Sequence, residues 1–213
     1  MNEKLARYQA VLTKPVTLPG RILLLISVLL IPLTFQFPLW KMAFQSNQYP
    51  DPLRLEIYVN HLEGQKTATR DDLREINALN HYIGMRPLME SDFAEFLWMP
   101  FVLGFFALFI LRAVVFGTLR DLIDVVVLYS YFGLFSAWNF YNRLYDYGHN
   151  LNPDAAIKVE PFTPPFFGRV QIANFHVESF PGGGSIVLAV VGALLLAALV
   201  VSVRQALHEN VAA

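Results

Sequence analysis

The sequence predicts a membrane all-α fold, four transmembrane helices with a small extracytoplasmic α/β cap. Three observations predict it. Four long apolar runs lie near 21–40, 98–116, 122–140 and 185–203, each close to the ~20 residues that a helix needs to cross the ~30 Å hydrocarbon core. The chain is 55% hydrophobic and only 15% charged, with a mean hydropathy of +0.42, well away from an ordinary soluble domain. Lys and Arg also gather beside particular run ends. In lipid every backbone N–H and C=O must be bonded within its own segment, so such runs become helices rather than open strands.

The amino-terminal segment carries Lys4, Arg7, Lys14 and Arg21 against Glu3 alone. The turn between the second and third runs holds Arg112 and Arg120, and the final tail opens with Arg204. The stretch after the first run is acidic: Asp51, Glu56, Asp71, Asp72, Glu95 and others outnumber its five bases. Basic flanks stay in the cytoplasm, so both termini are expected there. The resulting layout is a cytoplasmic segment 1–20, a first span 21–43, an extracytoplasmic α/β loop 44–97 and a second span 98–116. A third span with an outer extension follows at 117–147, then an extracytoplasmic Pro/Phe-rich loop 148–184, a fourth span 185–206 and a cytoplasmic tail 207–213.

The first run is read as an uncleaved span. Its basic lead is longer than a signal peptide's, Pro32 and Pro38 interrupt it, and no A-x-A site follows. Pro32 removes a backbone donor and should kink the helix. The third span is crowded with aromatics, and Trp138 to Tyr147 fit an outer interfacial belt. Asp124 is the acid clearly inside a span. It is either a functional intramembrane carboxylate or an interfacial one paired with Arg120 a turn away. The fourth span, rich in Ala, Val and Leu with Gly192, permits close helix contact but has no strict G-x-x-x-G.

In the first loop, residues 53–60 alternate, with Leu53, Leu55, Ile57 and Val59 on one face, and read as a half-buried strand. Thr69 is placed as the cap of a helix over 71–82, with Asp71 and Asp72 in its first turn and Gly84 ending it. A short helix over 91–96, capped by Ser91, leads into the second span. In the second loop five prolines and Gly182–Gly183–Gly184 preclude a long helix. Residues 170–178 suit one strand, paired with 53–60. Phe162, Phe166, Phe167 and Phe175 supply apolar surface, either for a docking partner or for packing on the first loop.

Cysteine is absent. That removes disulfides, thiolate metal sites and cysteine nucleophiles together. A net charge of −1 argues against nucleic acid as a partner. No Ser-His-Asp order, H-E-x-x-H, Walker loop or dinucleotide fingerprint is present, and no span holds the His pairs of an intramembrane haem. His61, His81, His149 and His176 all fall in the outer loops with Met85 and Met89. Imidazole and thioether donors suit copper, and His81, Met85 and His61 are the candidate ligands. His81 and Met85 share a face if the stretch between them is helical. The competing reading is that His and Met simply pack in loops.

The strings Pro38-Leu-Trp-Lys-Met, Gln48-Tyr-Pro-Asp-Pro-Leu, Arg74-Glu-Ile-Asn-Ala-Leu-Asn-His-Tyr-Ile-Gly-Met85 and Tyr145-Asp-Tyr-Gly-His-Asn150 stand out, as does the run from Pro164 to Phe175. Together they resemble a family of small bacterial membrane proteins that occur with copper-chaperone and nitrous oxide reductase maturation genes. The likeness covers nearly the whole chain, and I-N-x-L-N-H-Y-I-G-M is its most specific element. It implies a bacterial inner-membrane location and an accessory part in copper delivery or respiratory-enzyme assembly. The expectation is therefore a non-catalytic accessory protein with lipid and a protein partner around it, and copper as its candidate metal. A small structural subunit of a respiratory or photosynthetic complex, and a permease subunit, are the alternatives.

Overall fold

The computed structural model describes residues 9–172 and 174–211, with side chains through residue 208. Lys4, Arg7 and Glu3 of the basic amino-terminal segment and the last residues of the tail lie outside the described residues. The chain divides into two compact units: one from residues 1–34, 101–134 and 187–213, the other from 35–100 and 135–186.

The first unit is helical. Helix α1 (Leu18–Leu30) starts where the Thr17 hydroxyl accepts the Gly20 N–H, an N-cap that satisfies one of the free donors of the first turn. It tightens into a 3₁₀ turn at Ile31–Phe35. Pro32 has no N–H to continue the α ladder, and the buried Thr34 hydroxyl donates to Ile31 O at 2.6 Å. The expected first span of 21–43 is therefore corrected. The apolar helix covers Leu18–Phe35, and from Trp40 the chain is already a strand.

Helix α3 (Glu95–Phe116) and helix α4 (Leu119–His149) contribute 101–134 to this unit, and helix α5 (Gly183–Val211) contributes its length from residue 187. Thr118 and Asp121 open α4 as a reciprocal cap. The Thr118 N–H and hydroxyl both donate to the Asp121 carboxylate at 2.8 Å, and the Asp121 N–H donates back to the hydroxyl. Arg112 pairs with Asp121 at 3.2 Å. Asp124, the acid singled out in the sequence, is exposed, and the carboxylate that forms an ion pair in this stretch is Asp121. Leu24, Leu103, Ile110, Leu122 and Leu195 are fully buried. Gly192 faces the Tyr129 ring, where an added Cβ would stand 3.2 Å away, and the Tyr129 hydroxyl donates to Leu188 O at 2.7 Å.

The three basic segments meet at one end of this unit. Lys14 Nζ donates to Ala206 O at 3.1 Å, Pro15 bridges Thr118, and Arg21 donates to Val16 O and Val115 O. Four helices, Leu18–Phe35, Glu95–Phe116, Leu119–His149 and Gly183–His208, are long and apolar enough to cross a membrane, and only 22–28% of an apolar 18-residue stretch in each is buried. At ~1.5 Å per residue, the 31 residues of α4 span about 46 Å. That length exceeds the ~30 Å hydrocarbon core.

The second unit is α/β. Strands β1 (Trp40–Ser46), β2 (Tyr49–Ile57), β3 (Leu62–Gly64), β4 (Gly168–Ile172) and β5 (Phe175–Pro181) form one antiparallel sheet in the order β3-β2-β1-β5-β4. The register puts Met42 opposite Leu55 and Ser179, and Phe44 opposite Leu53 and Val177, so one face is apolar apart from the buried Ser179 hydroxyl, which accepts Trp40 Nε1–H at 2.8 Å. Lys41–Glu56 (3.0 Å) and Arg169–Glu178 (2.8 Å) pair across strands on the other face. Helix α2 (Asp72–Tyr82) lays Ile76, Leu73 and Leu79 on the apolar face, joined by Phe93, Phe96, Phe140 and Leu144.

Three local expectations change. Residues 170–178 are not one strand. They form the β4–β5 hairpin, which reverses between Ile172 and Phe175, and β5 pairs with β1 rather than with β2. The α2 cap is Asp71, whose side chain accepts the Arg74 N–H, not Thr69. The short helix expected over 91–96 is a single 3₁₀ turn, Glu90–Asp92, ahead of α3.

Candidate functional site: an apolar cavity in the α/β unit

The second unit carries a cavity, open to solvent on one side, of about 1390 Å³, larger than the ~300–1,000 Å³ common for small-molecule pockets. Its walls come from the apolar face of the sheet (Met42, Phe44, Leu55), from α2 (Ile76, Leu79), from the last turns of α4 (Phe140, Leu144, Tyr147) and from the strap at Ile157–Pro164. At one end lie the β1–β2 turn and the β4–β5 turn, brought side by side because Gln45 pairs with His176 and Ile172 with Phe175. These turns line the cavity with Ser46, Asn47, Gln48 and Asn174. One end thus carries the side-chain amides of Asn47, Gln48 and Asn174 with the His176 imidazole beside them, while the body is mostly aliphatic and aromatic.

The geometry of α2 follows from its own residues. Asn77 clamps the chain after the helix, its Nδ2 donating to Leu88 O at 3.2 Å and its Oδ1 accepting the Leu88 N–H at 2.7 Å. Gly84 takes φ +80, a conformation that suits glycine, and the Met85 N–H returns to Asn80 O at 2.8 Å. The string I-N-x-L-N-H-Y-I-G-M therefore builds a wall and its closure: Ile76 and Leu79 pack, Asn77 and Asn80 tie back, and Gly84 turns. Beneath it Asp72 is fully buried. It accepts the Arg54 N–H at 2.8 Å and Arg70 Nε at 2.7 Å.

Arg143 lines the cavity, but both its Nε and Nη2 are held by the Glu95 carboxylate at 3.1 Å, which Asn139 also joins. Its guanidinium covers the Phe93 ring, 5.6 Å from the centroid. No local pattern marks this cluster, since Glu95 stands among the acids of the first loop and Arg143 lies inside the aromatic stretch of α4. The Tyr49 hydroxyl, also lining the cavity, donates to Glu75 at 3.1 Å. Burial first, and then the bond to Glu75, raise that phenol above its usual range.

The candidate metal ligands are distributed differently from the expectation. Helix α2 ends at Tyr82, so His81 and Met85 do not occupy one helical face. Met85 is half-buried and lines the cavity, whereas His81 is exposed and does not. His61 sits in the β2–β3 turn, stacked on Tyr58 at 4.4 Å with Nδ1 2.9 Å from Asn60 Oδ1. The Tyr58 hydroxyl donates to Glu56 at 3.0 Å, and its pKa is pushed up to about 12 by burial and then by that bond. Among the described residues no group of three or more His, Cys, Asp or Glu side chains is placed to hold a metal.

The phenylalanines of the second loop mostly turn inward. Phe166 packs on Trp40 (5.2 Å) and Phe140 (5.7 Å), and Phe175 joins the core near Tyr49. Phe162 lines the cavity, with its N–H on Gly148 O at 3.0 Å. Phe167 is 64% exposed, edge-on to Phe180 at 5.2 Å, and is the one of the four that presents a ring outward. Chemically, the arrangement is suited to holding an elongated apolar group by burial, with polar recognition confined to one end. Compared with protein-family models, with curated proteins and with solved structures, the chain matches none of them.

Proposed function

We propose that the chain is a multi-pass protein of the bacterial inner membrane with both termini cytoplasmic. In this reading it is a non-catalytic accessory protein whose extracytoplasmic α/β unit binds an apolar group in its cavity. The observation that carries the reading is the presence, in one chain, of four helices with outward apolar surface and a separately packed unit hollowed by an apolar cavity. Phe101, Leu108 and Phe116 are 70–80% exposed on α3 alone. A continuous apolar exterior of that kind is costly in water and favourable in lipid. The gathering of Lys14, Arg21 and Arg112 at one end of the helical unit supports a cytoplasmic face there.

Copper delivery to a respiratory metalloenzyme stays outside this proposal, because Met85 faces the cavity while His81 and His61 are placed elsewhere. The test uses the absence of native cysteine. With Ala68→Cys in the exposed β3–α2 loop and Thr13→Cys in the basic segment, a membrane-impermeant maleimide added to intact spheroplasts should label position 68 only. Permeabilisation should then expose position 13. In nanodiscs, a diazirine-bearing alkane should crosslink to peptides containing Met42, Leu79 or Met85. Labelling of position 13 in intact spheroplasts, or crosslinks confined to the four apolar helices, would overturn the reading.

A further inference from the structure

We infer that the cavity takes a long-chain amphiphile with an uncharged head, its chain along the apolar sheet face and its head among the turns that carry Asn47, Gln48 and Asn174. This deepens the binding proposal above and rests on it. The charge of the walls carries the inference. Among the described lining residues Arg143 is the sole guanidinium or ammonium, and both of its donors facing Glu95 are taken in a two-point bond at 3.1 Å. The other titratable acid and base on the wall are the Glu160 carboxylate and the His176 imidazole, both exposed. At those turns, where Asn47, Gln48 and Asn174 are exposed, a phosphate or carboxylate head would meet no free guanidinium or ammonium and would share the wall with an acid, so the recognition on offer is for an uncharged head.

A hydroxyl, ester or carbonyl head can instead exchange hydrogen bonds with the side-chain amides of the two turns, each of which offers both donors and an acceptor. Length points the same way. The apolar lining continues from Phe44 and Val177 beside the turns through Met42 and Leu55 to Phe140 and Leu144 of α4, so a single extended chain meets hydrocarbon throughout. The α4 residues on this wall belong to the same continuous helix whose composition suits a bilayer crossing, which makes membrane-borne amphiphiles the natural supply.

The experiment is competition photolabelling of the full chain in phosphatidylcholine nanodiscs. A diazirine-bearing monoacylglycerol is crosslinked, and the labelled cavity peptides are counted with excess unlabelled monoacylglycerol, fatty acid or lysophosphatidylglycerol present. Monoacylglycerol should suppress cavity labelling at a concentration roughly tenfold lower than either anion. Val159→Trp and Met85→Trp, both on half-buried lining positions, should each reduce cavity labelling about tenfold while leaving crosslinks in the apolar helices unchanged. Two variants from different walls guard against one of them misfolding.

Mass spectrometry of an organic extract of the purified protein would then separate an acyl from an isoprenoid chain, either of which supports the class. Equal competition by the anions overturns the head assignment while leaving the alkane result intact. Cavity labelling insensitive to both Trp variants overturns the site. If the alkane probe itself fails to reach the cavity, the binding proposal falls and this inference falls with it.

Discussion

Removing the Asp72 carboxylate should unfasten the wall of the cavity. Asp72 is fully buried, and its two oxygens take the Arg54 N–H at 2.8 Å and Arg70 Nε at 2.7 Å, so it ties the start of α2 to β2. Arg70 is 20% exposed in this pair and also reaches Asp51 O and Pro52 O. Breaking a buried pair costs about 3–5 kcal/mol. Because Arg70 keeps two carbonyl acceptors, Asp72→Ala should fall at the lower end, about 3 kcal/mol, of which roughly 1–3 kcal/mol is the unpaired Arg54 N–H. For a unit of this size that lowers Tm by about 10 °C. All three tryptophans, Trp40, Trp98 and Trp138, lie in the α/β unit, so their fluorescence in detergent micelles reports its melting and not that of the helical unit. Arg70→Met alone should cost a similar amount, and Asp72→Ala with Arg70→Met should recover about 2 kcal/mol relative to the sum of the two. Additivity within about 0.5 kcal/mol would refute the argument, since it would mean that the carboxylate and the guanidinium do not act on each other.

Other outcomes follow from the same geometry. The folded Tyr58 phenol, raised to about 12, holds its proton where the unfolded phenol, near 10, has lost it. The Tyr58 contribution to stability should therefore be constant through neutral pH and be lost between about pH 10 and 12. Tyr58→Phe should remove that component from a spectrophotometric tyrosine titration, and an unchanged titration would contradict the Glu56 bond. Gly192→Leu should destabilise the helical unit by about 1–3 kcal/mol through overpacking, because even a Cβ stands 3.2 Å from the Tyr129 ring. Far-UV circular dichroism melting checks this, and a neutral effect would mean that the two helices are free to separate. In Cu(I) titration, His81→Ala with Met85→Ala should leave uptake unchanged. Loss of a tight site in that double variant would restore the copper reading.

The parts of this fold that showed in the sequence are those governed by one dominant force over a long window. Each apolar helix is such a case, since desolvation of some twenty consecutive peptide groups leaves few alternatives. The length of α4 and the stop of α2 at Tyr82, two residues before Gly84, are legible for similarly local reasons. What escaped notice turned on a change of period inside an unbroken apolar stretch. Trp40, Met42 and Phe44 continue the hydrophobic run of α1 in composition, but Lys41, Ala43 and Gln45 alternate with them, and Pro32 and Pro38 have already ended the helical ladder. Period-2 alternation is the strand signal, yet over three apolar residues it is easily absorbed into a span.

Once β1 was hidden, the sheet order could not be read, because β1 is the strand on which both β2 and β5 register. The cavity was invisible for the same reason. Its walls come from segments as far apart in the chain as Met42 and Val177 that only the central strand brings together, whereas each histidine and methionine is visible singly and points to metal chemistry. The phenylalanines show the converse. Phe162, Phe166 and Phe175 look like a docking surface along the chain, and they become wall and core once β5 pairs with β1. A residue's chemistry is written locally, but whether it meets a ligand, a partner or its own fold is decided here by one seven-residue strand. Substitutions that break β1 alternation, such as Met42→Lys, should therefore abolish the cavity more completely than loss of any single lining side chain.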